Sequence, residues 1–362
     1  MRPPLLRIAL IGLVGLTTLM WSGCGKSPSP EPTPLDGEPT PPPKSLHLFY
    51  RQDSIPRPII ERFVEETGIP VEVETYASNE QMLANLLSGR DRPDLIEPGE
   101  YVIEGLIKEN LLLPLNQAAL PNLQHLAPEF RNLPFDPGNV FSVPFRADII
   151  GIVVNSERVK KKIAGYEDVF SGANKGRIVV LDEPREITSW AFAVLDLPVN
   201  EVTDAHLDKA KPLLAKWLRQ IKAYDSDHPE SLLQNNEVDI GILRSDSAAA
   251  LMQADSHFQW VLPKEGSHLA VDSFCIPRTA TQVEAALAFI NFLLRPDISA
   301  EISRTIARIN PNLAARELLA SEPSAAPIAF PRAEEFSRLK TFRDIGNQSL
   351  RVEEIINGLK AP

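Results

Sequence analysis

Short strand-like segments alternate with amphipathic helical segments along most of this chain, and this alternation restricts the architectures available to it. Residues 46–50, 71–75 and 178–181 have the character of strands, whereas residues 58–67 and 203–221 have the apolar spacing of helices. A chain in which these two kinds of segment follow one another buries both by covering a sheet with helices. The sequence therefore predicts an α/β fold.

Two of the predicted helices begin at a capping box, in which Ser or Thr is followed three residues later by Glu or Gln. Ser78 and Gln81 form one such pair, and Thr281 and Glu284 form the other. Gly89 is placed to cap the C-terminus of the first helix. We expect both hydroxyl side chains to accept hydrogen bonds from the first turns of their helices.

The N-terminal residues have the pattern of a bacterial export signal. Arg2 and Arg7 form a basic start, and the apolar run 8–20 that accompanies them is too short to span a bilayer comfortably. The small residues before Cys24 have the character of a lipoprotein cleavage site. We therefore expect a signal peptide over residues 1–23 and a lipid on Cys24, which together place the protein in the periplasm or at the cell surface.

Trp21 departs from the usual lipoprotein pattern, because a Leu is expected three residues before the cysteine. The alternative interpretation is a signal anchor that remains uncleaved, and in both cases the chain stays attached to a membrane. Residues 24–45 continue as a proline-rich tether, which favours an extended polyproline conformation. At about 3.1 Å per residue, such a tether reaches about 60 Å.

Composition excludes several classes of protein. Hydrophobic residues make up 43% and charged residues 23% of the chain, which is ordinary for a globular protein. The net charge of −11 disfavours nucleic acid as a partner, because its phosphates select basic surfaces. Only Cys275 remains once Cys24 is lipidated, so we expect no disulfide and a buried Cys275.

The sequence contains no phosphate-binding loop, no HExxH zinc motif and no GxSxG nucleophile elbow. The 6 histidines are scattered at spacings that do not suit a metal site, and we expect them to be surface or packing residues. An enzyme would depend only on carboxylates in a cleft, without a nucleophile or a metal. The sequence therefore predicts no enzyme, no metal and no cofactor.

A series of phrases from Leu46 to Lys360 matches one known family in order. The phrases are FVEETG (63–68), YASNE (76–80), PFDP (134–137), SVP (142–144), DSD (225–227), PKEG (263–266), INFLLRPD (290–297) and PNLAAR (311–316). In these phrases the chain resembles the bacterial spermidine/putrescine-binding proteins, the periplasmic substrate-binding components of polyamine ABC transporters.

The resemblance implies a two-lobe periplasmic-binding-protein fold of type II-like topology, in which each lobe has a central sheet flanked by helices. Lobe 1 would consist of residues 46–146 and 272–320, and lobe 2 of residues 147–271 and 321–362. It also implies a protein that captures a small amine between the lobes and delivers it to an ABC permease in the inner membrane.

The resemblance further implies two kinds of ligand contact. In that family carboxylates recognise the ammonium groups of the ligand, and aromatic rings grip its methylene chain. The carboxylates fall on Glu183, Glu186 and Asp272, and Tyr101 holds an aromatic position. The acidic half of the family's cleft is therefore retained.

Arginines replace the aromatic half of that cleft. Arg51 and Arg244 stand where the family has tryptophans, and Arg308 stands where it has a tyrosine. Gln52, which follows Arg51, and Arg146, beside the first crossover between lobes, complete the predicted binding set.

Three arginines facing three carboxylates predict a cleft that is close to neutral by formal count. At an effective dielectric of about 20, one guanidinium about 7 Å from a bound ammonium costs on the order of 2 kcal/mol. Three would cost about 6 kcal/mol, or about four decades of affinity, so free spermidine is a poor fit. We expect a ligand with both anionic and cationic groups, such as an amino-acid conjugate, a carboxylated amine or a phosphonate-bearing amine.

Other interpretations stay open. The arginines pair with Glu183, Glu186 and Asp272 in a degenerate cleft without a transport role, or the comparison is shifted by one residue at Arg51 or Arg308. A sensory lipoprotein that presents a bound solute to a membrane receptor would use the same fold. A permease and an ATPase encoded beside this chain would favour transport.

Overall fold

The computed structural model describes most of the chain that follows the predicted tether. The described residues are 45–52, 54–89, 92–306, 308–320 and 332–360. The predicted signal peptide, the lipid site at Cys24 and the tether up to residue 44 lie outside the described residues. None of the described helices combines the length and the apolar character that crossing a bilayer requires.

Ten strands form a mixed sheet within the described residues. The strands are β1 (Leu46–Arg51), β2 (Val71–Tyr76), β3 (Leu95–Ile96), β4 (Ser142–Asn155), β5 (Ile178–Val180), β6 (Ala223–Tyr224), β7 (Ile240–Arg244), β8 (Phe258–Val261), β9 (Ser267–Cys275) and β10 (Leu339–Lys340). Their order is β2-β1-β3-β9-β4-β7-β5-β6, with β8 paired to β4 and β10 to β9.

Helices cover this sheet. They are α1 (Arg57–Thr67), α2 (Asn79–Ser88), α3 (Glu100–Lys108), α4 (Tyr166–Val169), α5 (Pro184–Val194), α6 (Asp204–Leu218), α7 (Pro229–Gln234), α8 (Ser245–Ala254), α9 (Val283–Leu293), α10 (Pro296–Thr305), α11 (Leu313–Leu319), α12 (Ala333–Phe336) and α13 (Gln348–Lys360). Short 3₁₀ turns lie between residues 117 and 130. The predicted α/β fold is confirmed.

The strands β4 and β9 connect the two halves of the fold. β4 pairs antiparallel with β9 from Ser142 to Ile149 and then with β7 from Ile150 to Val154. On one side β1 pairs parallel with β2 and β3, and on the other β5 pairs parallel with β6 and β7. We call β1–β3, α1–α3 and α9–α11 the first half, and β5–β7, α4–α8 and α13 the second half.

Each half has apolar clusters of its own. In the first half Phe63 on α1 packs edge-to-face against Phe289 on α9, with ring centroids 4.9 Å apart. In the second half Phe170 stacks on Trp217 of α6 at 4.6 Å, in the cluster that also holds residues of α13. Cys275 is buried in a third cluster beneath β9, which confirms the expectation for this residue.

The sequence predicts a helix end correctly where the capping residue is close in sequence to the helix. Gly68 takes a left-handed backbone with φ of 71° and ends α1, and the Ser78 hydroxyl accepts a hydrogen bond from the Gln81 backbone N at 3.2 Å. Glycine is favoured at a left-handed backbone position because it has no Cβ to clash there.

The predicted cap at Thr281 is wrong. The helix α9 starts one residue later than such a cap requires, and its N-cap residue, Gln282, makes no side-chain cap bond. The Asp94 carboxylate accepts hydrogen bonds from the backbone N of Thr281 at 2.7 Å and of Gln282 at 2.9 Å. A buried carboxylate from a distant loop therefore satisfies these free N–H groups, which leaves the Thr281 hydroxyl no capping role.

Candidate ligand-binding cleft

A cavity of about 690 Å³ lies between the two halves. Its walls come from the carboxyl ends of β1, β5 and β7 and from the first turns of α2, α3, α5 and α8. Ligands of α/β proteins bind at this edge of the sheet, and the volume suits a small molecule.

Most of the predicted binding residues meet in this cavity. Those that line it are Arg51, Tyr101, Glu183, Glu186, Arg244, Asp272 and Arg308. Gln52 and Arg146 are not among the lining residues: Gln52 is exposed, and Arg146 is buried behind Asp272. The Tyr101 hydroxyl accepts a hydrogen bond from Asn79 Nδ2 at 3.1 Å, which fixes the ring at the cavity wall.

Arg146 forms a buried ion-pair cluster beneath the cavity. Its Nε lies 2.8 Å from Glu97 Oε1, and its Nη2 lies 2.8 Å from Asp272 Oδ2. Burial by itself would raise the pKa of Asp272, but the charges of Arg146 and Arg51 outweigh it and lower that pKa. Burial dominates at Glu97 and raises its pKa. Asp272, a predicted ammonium acceptor, is therefore already paired with a protein cation.

Arg244 pairs with a second predicted acceptor. Its Nη2 contacts Glu183 Oε1, and its Nη1 donates to the Ser226 carbonyl oxygen at 3.3 Å. Burial raises the pKa of Glu183, although the charge of Arg244 opposes this shift. The pair lies at the start of α5, where Glu183 is the N-cap residue.

Arg308 pairs with carboxylates that the sequence comparison does not single out. Its Nη1 lies 3.5 Å from Asp148 Oδ2, and its Nη2 lies 3.4 Å from Asp246 Oδ2 at the start of α8. Burial and the charge of Asp246 raise the pKa of Asp148 to about 6. The Ser245 hydroxyl also donates to Asp148 at 3.0 Å.

Arg51 differs from these arginines. Among the described residues, no carboxylate lies within ion-pair distance of its side chain, whereas its Nε, like Nε of Arg308, is buried without a hydrogen-bond partner among them. The backbone N of Arg51 donates to Glu97 at 3.3 Å, which holds this end of β1 beside the buried cluster. The guanidinium is therefore a cavity donor without an ion pair among the described residues, although its charge acts on Asp272, Glu97 and Glu183.

Glu186 pairs with a residue that the sequence comparison does not assign to the site. Its Oε1 contacts Nδ1 of His268, and Nε2 of His268 lies 2.7 Å from Glu100 Oε1. The second oxygen of Glu186, Oε2, is buried and has no hydrogen-bond partner among the residues that the structure describes. Sequence spacing gives no signal for this bridge, because the three residues come from α3, α5 and β9.

The predicted neutrality of the cleft is wrong. Among the described residues that line the cavity, eleven carry carboxylates and five carry guanidiniums, and His268 adds an imidazole. The carboxylates are those of Glu80, Glu100, Asp148, Asp182, Glu183, Glu186, Asp227, Asp246, Asp272, Asp344 and Glu353, and the guanidiniums are those of Arg51, Arg185, Arg244, Arg308 and Arg343. The count made from the sequence includes only residues that match ligand contacts of the family. The folded chain brings further helix starts and loops to the cavity.

Two α/β halves joined by paired strands, with a polar cavity between them, define the periplasmic-binding-protein class of fold. The chain belongs to the bacterial extracellular solute-binding proteins, whose family model matches residues 58–331. The resemblance stated from the sequence is confirmed.

Similar proteins agree with this assignment. The spermidine/putrescine-binding periplasmic protein of Salmonella typhimurium is 34% identical over 319 residues, which cover 88% of this chain and 92% of the relative. The spermidine/putrescine ABC transporter substrate-binding protein PotD of Streptococcus pneumoniae has a TM-score of 0.80 at 30% identity and covers 88% of this chain and 98% of its own. The Treponema pallidum lipoprotein Tp0655 shares the fold, with a TM-score of 0.79 at 24% identity over 88% of this chain and 100% of its own.

The family is one of binding proteins rather than enzymes, and its members work outside the cytoplasm. The two-lobe fold predicted from the resemblance is also confirmed, because the solved relatives are two-lobe proteins of this kind. The function of the chain therefore depends on what its cavity binds.

Proposed function

We propose that this chain is the solute-binding component of an ABC importer of the polyamine class. The observation that carries the proposal is the cavity, where carboxylates outnumber guanidiniums by eleven to five among the described lining residues. An excess of negative charge in a cleft concentrates cationic amines there. Relatives named for spermidine and putrescine binding support the same ligand class. The captured amine would pass to a permease in the inner membrane.

We further propose that two lobes close on this ligand, and that a lipid holds the protein near its permease. The lobes would be residues 46–146 with 272–320 and residues 147–271 with 321–362, hinged about β4 and β9. The separate apolar clusters of the two halves support such a division. Lipidation of Cys24 would anchor the chain through its proline-rich tether.

The ligand is also proposed to carry an anionic group beside its ammonium group. Arg244 and Arg308 are held by carboxylates, so the repulsion that each exerts on a bound amine is largely offset. Arg51 has no such partner among the described residues, and an unmatched buried donor costs about 1–3 kcal/mol. A ligand carboxylate or phosphonate recovers this cost through charge-assisted, two-point hydrogen bonding to the guanidinium.

Isothermal titration calorimetry with putrescine, spermidine and 4-aminobutyrate tests both levels of the proposal. We expect binding of 4-aminobutyrate that weakens at least tenfold in the Arg51→Gln variant. Arg57→Gln is the matched control, because Arg57 is an exposed arginine on α1, outside the cavity, that pairs with Glu61. Tight putrescine binding without any 4-aminobutyrate binding would refute the anionic group and leave the importer in place, whereas no binding of any probe would count against an amine ligand.

A specific observation favours a second candidate, a cleft without a transport role. Each of the three predicted ammonium acceptors contacts a protein cation: Glu183 contacts Arg244, Glu186 contacts His268, and Asp272 contacts Arg146. In a degenerate cleft the Arg244→Ala variant would leave amine binding absent, as in the wild type. In a functional cleft this variant changes the affinity for the probes.

A further inference from the structure

A carboxylate–imidazole–carboxylate bridge joins the two halves at the cavity. His268 on β9 lies between Glu186 on α5 of the second half and Glu100 on α3 of the first half. The side chains of all three residues are at least nine-tenths buried. The ring of His268 stacks on Phe342, with centroids 3.7 Å apart and planes 9° apart, so its orientation is fixed.

Both ring nitrogens of His268 face carboxylate oxygens. A neutral imidazole donates from only one nitrogen, so two carboxylate partners select the doubly protonated, cationic ring. Burial by itself would lower the pKa of His268, but the charges of Glu186 and Glu100 and their hydrogen bonds raise it to about 10. Three other charged groups lie near the ring. The charge of His268 lowers the pKa of Glu183, and the Arg185 guanidinium lies 4.8 Å from the centroid of the Phe342 ring. Lys340 on β10 is in register with His268.

The two carboxylates of the bridge differ in how many of their oxygens have hydrogen-bond partners. Glu100 is fully engaged, because Oε1 contacts the ring and Oε2 accepts a hydrogen bond from the Val271 backbone N at 3.0 Å. Glu186 has one oxygen on the ring, while Oε2 is buried, has no hydrogen-bond partner in the described part of the chain and belongs to a cavity-lining side chain. A ligand ammonium at Oε2 would therefore share Glu186 with the imidazolium.

We propose that His268 is a specificity-determining residue that supplies a permanent protein cation beside Glu186 and so disfavours ligands that present additional ammonium groups there. The inference rests on the proposed function and sharpens its substrate class: an amine with a single ammonium group at this end of the cavity. With an imidazolium already between Glu100 and Glu186, a second cation is repelled. Without it, the two carboxylates form an open site for a ligand ammonium.

Variants that differ in charge at position 268 test this role. In calorimetric titrations with putrescine at pH 8.5, we expect His268→Gln to bind at least tenfold more tightly than the wild type. His268→Lys keeps a cation and should stay within about threefold of the wild type. At pH 6 the advantage of the Gln variant should shrink, because two facing carboxylates without a cation take up a proton.

His47→Gln is the matched control, because His47 also lies beside a glutamate, Glu74, but outside the cavity. Circular dichroism melts establish that each variant is folded. Equal changes in the Gln and Lys variants would overturn the proposal, since the charge would then not be the cause. A weaker affinity in the folded Gln variant would overturn it as well.

A ligand-free measurement separates this inference from the proposed function. In ¹⁵N NMR spectra of the wild type at pH 8.5, both ring nitrogens of His268 should be protonated without added amine, and a neutral ring would overturn the inference directly. If the wild type binds amines and the charge series has no effect, only the role of His268 falls. If the ring is charged but no probe binds to any protein of the series, the proposed function is contradicted and the specificity role falls with it.

Discussion

Replacement of Arg146 by methionine should lower the free energy of unfolding by about 3–5 kcal/mol at pH 7. The side chain of Arg146 is 5% exposed, and its partners Glu97 and Asp272 are 0% and 19% exposed. Methionine fills a similar volume but leaves the buried carboxylate of Glu97 and the partly buried carboxylate of Asp272 without their shared cation. Loss of one partner of a buried ion pair is costly because the remaining charge then has neither a counter-charge nor water to stabilise it.

The pH dependence of this loss has a definite sign. In the wild type burial opposes ionisation of Asp272, yet the charge of Arg146 holds its pKa below the usual range. The stability that Asp272 contributes is therefore present above the pKa of the unfolded chain, about 3.9, and is lost as the pH falls through the lower folded value. In the variant only the charges of Arg51 and Arg308 still oppose burial, so the pKa of Asp272 rises above its wild-type value and acidification relieves part of the cost. The difference between the two proteins should be largest near pH 7 and should shrink towards pH 4.

Urea denaturation followed by tryptophan fluorescence measures this difference, because Trp190 and Trp217 are both buried in the core of the second half. Arg57→Met is the control: its exposed pair with Glu61 on α1 should contribute less than about 1 kcal/mol at any pH. A loss below about 1 kcal/mol for Arg146→Met, or a loss that grows on acidification, would contradict a stabilising role of the ion-pair cluster around Arg146.

Three further changes probe other features. Asp94→Ala removes the carboxylate that accepts hydrogen bonds from the backbone N of Thr281 and Gln282 just before α9, and it should cost about 1–3 kcal/mol in urea denaturation, whereas Asp94→Asn, which keeps an acceptor oxygen, should cost less. Gly266→Ala should destabilise the fold more than Gly172→Ala. Both positions have a left-handed backbone, but of these two only Gly266 would place a new Cβ against a backbone oxygen, at 2.4 Å. Equal melting temperatures of the two variants would contradict this. Cys24→Ser should abolish labelling of the protein by radioactive palmitate and release it from membranes, and unchanged labelling would exclude Cys24 as the lipid site.

Features of the fold that depend on neighbouring residues are predictable from the sequence. The strand at residues 46–50, the helix that ends at Gly68 and the cap at Ser78 agree with the structure, because each is set by residues a few positions apart. The cap of α9 is not predictable in this way. Its acceptor is Asp94, which lies far away in sequence and reaches Thr281 only in the folded protein.

The candidate site likewise has features that the sequence predicts and others that depend on contacts between distant segments. Family phrases place most of the predicted binding residues at one cavity, but they give neither the partners nor the charge of that cavity. Arg308 pairs with Asp148 and Asp246, and His268 joins Glu100 to Glu186, through contacts between segments that are distant in sequence. A side-chain partner of this kind has no periodic or local signature, so the formal count from the sequence misses most of the carboxylates.

Native mass spectrometry of the protein, gently isolated from its own cells, reports what the cavity holds without a choice of probe. We expect one small molecule per chain that carries both an amine and an acidic group and that is lost in the Arg51→Gln variant. A protein that carries spermidine or putrescine instead would contradict the anionic group, and a cavity without any bound amine would contradict the proposed function.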